Sequence, residues 1–244
     1  HQSGTARHGE KSLMQQIIRE LDRQEILRYL GWRGGELSPQ MDQLLTQCIQ
    51  STLEIIRPNY RYQCFPIAST PEGIQVEHTG LLLTGSSIAR HLEGCHSVYL
   101  LAGTIGLAHE QLLRKTMLTQ PEAGVVLDSC GSAAAEAVAD LADREIQRLA
   151  ASEGKYTTPR FSPGYGDLPL SCQQPLLSAL RAMQTLGMTV SSGGLLSPNK
   201  SVTAIIGVRD TPATQTLSPC DACLKRGNCE FRRRNQVCYR SKQG

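Results

Sequence analysis

Ser132-Ala133-Ala134-Ala135-Glu136-Ala137-Val138-Ala139-Asp140-Leu141 opens a run that continues to Leu149, and Arg160-Phe161-Ser162-Pro163-Gly164-Tyr165-Gly166-Asp167 follows it. The first stretch reads as a long helix, because an alanine-rich composition has high helical propensity and Val138, Leu141, Ile146 and Leu149 supply one apolar face. The second cannot continue that helix, since proline and glycine punctuate residues 159–169. A helix with so long an apolar face needs a surface to cover, and the flanking segments supply candidate strands.

Upstream, Ile17, Ile18, Leu21, Ile26, Leu27 and Leu30 recur at helical spacing and stop at Gly31, so residues 14–30 read as one or two amphipathic helices. Ser38-Pro39 supplies an N-cap followed by proline at the first helical position, and Leu44, Leu45, Cys48, Ile49, Leu53 and Ile56 form the stripe of a helix ending before Pro58. Tyr60, Tyr62 and Cys64 alternate with polar residues as a strand that Pro66 should end, and Ile74–Val76 and Leu81–Leu83 read as further antiparallel strands. Ser86 or Ser87 is expected to cap a short helix through Leu92, Val98–Leu101 suits a buried strand, and Thr104–Met117 reads as helix.

Downstream, residues 173–186 read as one helix with Leu176, Leu177, Leu180 and Met183 on one side. Met188–Ser191 and Ser201–Val208 read as strands, the second closing with Gly207, and no internal repeat is present. The expected fold class is α+β: helices packed on a mainly antiparallel twisted sheet, the glycine-rich loop crossing its edge, with a short Cys-rich C-terminal tail. Residues 1–13 read as tag or upstream sequence, because Met14 opens the first amphipathic pattern, with one domain over 14–210 and a basic tail over 211–244.

Of the 244 residues, 40% are hydrophobic but only 5% aromatic, so the core must be built from aliphatic side chains and alanine. No apolar run approaches the roughly 20 residues that cross a bilayer, and the polar opening lacks a secretory stretch, which points to a cytoplasmic protein. Nine cysteines in a reducing compartment suggest metal binding before disulfides. Ser218 to Gly244 holds seven basic and two acidic residues, a net +5, which leaves 18 basic against 20 acidic residues elsewhere.

The chemistry of the loop is that of a charged ligand site. A guanidinium grips a carboxylate bidentately, glycines let backbone approach closely, and a tyrosine offers a ring face to a cation. On physical grounds alone, a rigid connection between two helices is the commoner meaning of such a loop.

The run Arg160 to Asp167, followed by Gln173 or Gln174, resembles the signature loop of the activation domain of cobalamin-dependent methionine synthase. Leu196-Ser197-Pro198-Asn199-Lys200-Ser201-Val202-Thr203-Ala204 is similar to that domain's second signature. Leu27 to Gly31, Leu92 to Cys95 and Ala102 to Gly106 extend the resemblance, so that it covers most of residues 20–208, and it is nearest to the free-standing activation proteins. The resemblance implies binding of S-adenosylmethionine: Arg160 on its carboxylate, the backbone of Ser162 and Gly164 cradling it beside Tyr165, and Glu136 facing its amino group. Where the fused domain carries an aromatic pair this chain has Ile206-Gly207, so any contact there is by backbone, and no equivalent of the family's N-terminal acidic ligand contact is found.

The resemblance further implies methyl transfer to reduced cobalamin carried by a methionine synthase or related corrinoid protein, with a flavodoxin- or ferredoxin-like electron donor. No catalytic residue is expected, because His78, His91, His96 and His109 lack metal or triad spacing and both reactants are already activated. In the tail, Cys220-x2-Cys223-x5-Cys229-x8-Cys238 could complete a zinc site or hold an iron–sulfur cluster, with Lys225, Arg226 and Arg232 to Arg234 favouring thiolates. Two other readings stand beside this one. One is a non-catalytic corrinoid-protein partner, and the other a nucleic-acid-binding protein with a zinc-knuckle-like tail, disfavoured because only Phe231 and Tyr239 interleave the basic residues.

Overall fold

The structure, a computed structural model, describes residues 3–5, 17, 21–32 and 34–212. The tail cysteines Cys220, Cys223, Cys229 and Cys238, singled out for a metal, lie outside the described residues.

In chain order the elements are β1 (Ser3–Thr5), α1 (Arg23–Tyr29), α2 (Pro39–Ile55), β2 (Asn59–Thr70), β3 (Gly73–Val76), β4 (Leu82–Leu83), α3 (Ser86–His91), β5 (Ser97–Thr104) and α4 (Leu107–Thr119). There follow α5 (Pro121–Ser152), β6 (Tyr156–Thr157), a 3-10 turn (Leu170–Cys172), α6 (Gln173–Ala179), α7 (Ala182–Leu186), β7 (Thr189–Val190), β8 (Leu196–Ser197) and β9 (Ser201–Arg209). The main sheet runs β4-β3-β2-β5-β9-β6, with β1 on the free edge of β2, and every pairing in it is antiparallel. The fold is α+β.

Every residue of β5 is buried, because both faces of the sheet are covered. Tyr99 and Leu101 join Tyr60, Tyr62, Ala204 and Ile206 against Val138, Leu141 and Ile146 of α5. Val98, Leu100 and Ala102 point to the opposite face, where Leu83, Ile88, Leu176 and Leu180 cover them. The first half of α5 packs instead on α1 and α2, with Ala123, Val126, Leu127 and Cys130 against Ile26, Leu45 and Cys48. The phenols of Tyr60 and Tyr62 donate to Glu145 at 2.5 and 2.9 Å and lock α5 to β2.

Several boundaries differ from the sequence reading. Ser38 caps α2 as expected, accepting from the Met41 amide at 3.2 Å. Pro66 does not end β2. It sits where the strand changes partner, with β5 alongside up to Pro66 and β3 from Ile67 onward, so its missing N–H interrupts no ladder and its carbonyl accepts from Glu77. Residues 173–186 form two helices, because Arg181 adopts a left-handed φ of 52°. The break turns Met183 outward, 67% exposed, and buries Ala182 in its place. β9 runs one residue beyond the expected Val208, to Arg209.

Candidate functional site

The loop after α5 is an edge strand that fails at one point. Thr157 pairs with Val208 and Thr158 bonds Gly207 through both backbone groups, donating to its carbonyl at 2.9 Å while the Thr158 hydroxyl accepts from its amide at 2.8 Å. The next pairing is Phe161 with Ile205, at 2.9 and 2.8 Å. Two residues, Pro159 and Arg160, therefore stand opposite one, Ile206, which is the geometry of a β-bulge. A bulge re-aims the side chain it carries. Arg160 leaves the sheet edge and reaches α5.

On α5, Glu136, Asp140 and Asp143 share one face at spacings of four and three residues. The Nη2 of Arg160 donates to Glu136 Oε1 at 2.5 Å and to Asp140 Oδ1 at 2.7 Å, while its Nε lies 3.8 Å from Asp143 Oδ2. Burial alone would lower the guanidinium's pKa, but Glu136, Asp140 and Asp143 together outweigh it and raise it. The two bonded carboxylates differ in access: the Glu136 side chain is 37% exposed and that of Asp140 only 8%. Nη1 makes no hydrogen bond among the described residues, and the Arg160 side chain as a whole is 19% exposed.

Beyond the bulge the loop is held from three sides. His91 Nε2 donates to the Pro159 carbonyl at 2.9 Å, and burial keeps its pKa below the ordinary histidine value. The rings of His91, Phe161 and Tyr165 contact in series at 5.0 and 6.1 Å, with Tyr165 outermost at 59% exposure. Gly164, at φ 86°, donates to the Leu168 carbonyl, and a Cβ on it would meet Leu170 at 2.8 Å. Asp167 accepts from the Ser86 amide at 2.7 Å, the Ser86 hydroxyl at 2.8 Å and the Ser87 amide at 2.9 Å. The cap of α3 is thus Asp167, eighty residues away, and not Ser86 or Ser87 as read from the sequence.

Of the sequence-assigned ligand residues, Arg160 and Glu136 are in contact, and Ser162, Gly164 and Tyr165 share the loop beside them. Ile206 and Gly207 are not brought to this surface: Ile206 has no exposed area, and both backbone groups of Gly207 are taken by Thr158. Gln173, not Gln174, is the structural member of the pair. It is buried, accepts from the Thr203 hydroxyl at 2.9 Å and donates to the Gly194 carbonyl at 3.2 Å. The second signature is also tied to α5: Lys200 Nζ lies 2.8 Å from Asp128 and donates to the Ser132 hydroxyl at 2.8 Å.

Three neighbours escaped the sequence reading. Asp140 and Asp143 were legible as the next turns of the Glu136 face. Tyr29 of α1 was not. Burial and the Glu136 charge raise its pKa, and the Arg28 guanidinium lies 4.6 Å over its ring. Near Gly164, Leu170, Gln174, Val190 and Ser191–Gly194 line a shallow depression of about 480 Å³. Among the described residues no group of His, Cys, Asp and Glu could hold a metal ion, and no helix is long and apolar enough to cross a membrane.

No family model matches this chain, and no curated protein matches it in sequence. Solved structures do match. One of them is the crystal structure of the MetH reactivation domain bound to AdoHcy, with a TM-score of 0.64 and 14% identity over 97% of this chain and 86% of that one. At that identity the likeness is one of fold.

Proposed function

We propose that the chain binds S-adenosylmethionine between the Arg160–Tyr165 loop and the Glu136 face of α5, and that it presents the methyl group to a cobalamin carried by another protein. The carrying observation is the Arg160–Glu136 pair at the exposed end of the bulge. A guanidinium with one nitrogen, Nη1, left unbonded beside a part-exposed carboxylate matches the two poles of an α-amino acid. The fold it shares with a reactivation domain bound to AdoHcy, and the two sequence signatures tied to one helix, support the same ligand.

Transfer of a sulfonium methyl to reduced cobalt needs neither proton transfer nor a protein nucleophile. The chain's residues contribute position: Arg160 and Glu136 fix the amino-acid end, and the left-handed turn at Gly164 keeps the loop backbone low beside it. Tyr165, 59% exposed on the same loop, offers a ring face to the sulfonium in this reading. The corrinoid protein and a flavodoxin- or ferredoxin-like donor belong to the same proposal. So does a metal centre at Cys220, Cys223, Cys229 and Cys238, whose zinc or iron–sulfur identity is decided by elemental analysis.

Calorimetric titration with S-adenosylmethionine tests the reading, with Arg160→Ala as the variant. Loss of a charge-assisted bidentate contact should weaken binding by about 2 kcal/mol, roughly thirtyfold. A wild-type chain that takes up no ligand, alone or with a corrinoid protein, sinks the proposal; an Arg160→Ala chain that binds equally well sinks the site.

A further inference from the structure

Two carboxylates share one nitrogen of Arg160, one on each of its hydrogens, and only one of them can be spared. Glu136 and Asp140 both accept from Nη2, at 2.5 and 2.7 Å. Asp140 is enclosed by α5 and the bulge, its side chain 8% exposed, whereas Glu136 stands at the rim at 37%. Nη1 bonds neither of them. A ligand carboxylate can take Nη1 directly and can grip the Nη1–Nη2 edge fully only by displacing an acceptor from Nη2.

Resting on the proposed ligand, we propose that Asp140 is the positioning residue of this site, and that Glu136 is the exchangeable partner. When an α-amino acid end docks, Glu136 turns from the guanidinium to the ligand ammonium, and Asp140 holds the guanidinium in place during the exchange. The physical reason is the cost of an uncompensated charge. Arg160 is only 19% exposed, and a largely buried cation left without any hydrogen-bonded carboxylate is unfavourable. With Asp143 at 3.8 Å from Nε, Asp140 supplies the bond that makes Glu136 dispensable to the arginine. The bulge makes this possible, because it delivers Arg160 side-on to two successive turns of α5. Selectivity follows: the exchange rewards a ligand carrying both poles, and one lacking the amino-acid end gains nothing from it.

The test uses the full chain, with S-adenosylhomocysteine and 5′-methylthioadenosine as probes, the second lacking both poles. Asp140→Asn should weaken S-adenosylhomocysteine tenfold or more and leave methylthioadenosine unchanged, with Asp140→Glu restoring part of the loss. In an Arg160→Ala background, Asp140→Asn should cause no further loss, because Asp140 acts through the arginine. Equal weakening of both probes, or additive losses in the double variant, overturns the positioning role, as does an Asp140→Asn chain that binds like wild type. Should Asp140→Asn not fold, the comparison of Asp140→Glu with its Arg160→Ala double variant decides the same question. A wild-type chain that binds neither probe overturns the ligand reading itself, and the inference falls with it.

Discussion

The Asp167 carboxylate closes the loop onto α3 with three hydrogen bonds, from the Ser86 amide, the Ser86 hydroxyl and the Ser87 amide. Those donors hold its pKa well below the ordinary carboxylate range, the Ser87 amide contributing most. Gly85 lets it come so close: at φ 121°, its Cβ would stand 2.6 Å from Asp167 Oδ1. The sign of the pH effect follows from the depressed pKa. The unfolded carboxyl titrates at about 3.9, so the bonds stabilise the fold fully above about pH 5. That contribution drains away as pH falls toward the folded value. Asp167→Ala should lower the melting temperature by a constant amount between pH 5 and 8, and the gap to wild type should narrow below about pH 4. A gap unchanged down to pH 3 would show that the carboxylate charge is not what caps α3.

At the level of elements, α5 illustrates what a sequence conveys and what it hides. Its apolar face from Val138 to Ile146 was readable, and so was the face carrying Glu136. Its start was not: the alanine-rich run suggested Ser132, yet the helix begins at Pro121 and passes through Gly124 and Gly131. Those glycines weaken helical propensity but admit α4, which packs so closely that a Cβ at Gly131 would lie 2.3 Å from His109 Cε1. His109 is wholly buried there, and burial, with Lys200 nearby, takes its pKa down to about 4. Gly131→Ala therefore sets about 1 kcal/mol of helical propensity against an overpacking cost of about 1–3 kcal/mol. Steric cost should win, because the ring is held between two helices and faces Thr52 at 3.5 Å. Urea unfolding should show a net loss of about 1 kcal/mol; a stabilised variant would mean that the ring can move aside. The break at Arg181 and the bulge at Pro159–Arg160 had no local signal. The first is a left-handed residue that is not glycine, and the second depends on pairing with β9, more than forty residues away.

Across the whole molecule, α5 is the axis on which two distant sequence signatures meet. Arg160 binds it at Glu136 and Asp140, and Lys200 at Asp128 and Ser132, so the outermost anchors lie twelve residues apart, about 18 Å of helix. The sequence showed both motifs, but only the antiparallel order β2-β5-β9-β6 shows why they adjoin: each flanks β9, one at its start and the other along its edge. Every residue assigned to the ligand lies within this unit, whereas the four clustered cysteines lie after it in sequence. If ligand binding belongs to the loop and metal binding to the tail, the two should separate by substitution. A chain with Cys220, Cys223, Cys229 and Cys238 all changed to serine should then hold no zinc or iron by elemental analysis of anaerobically purified protein where the unaltered chain does, yet titrate with S-adenosylmethionine as wild type does. Retained metal would point to other ligands in the chain, and lost ligand affinity would make the tail part of the binding site. With a corrinoid partner and a reductant present, the same variant distinguishes a structural zinc from an electron relay: remethylation that persists without the metal assigns the electron's path to the partner and donor alone.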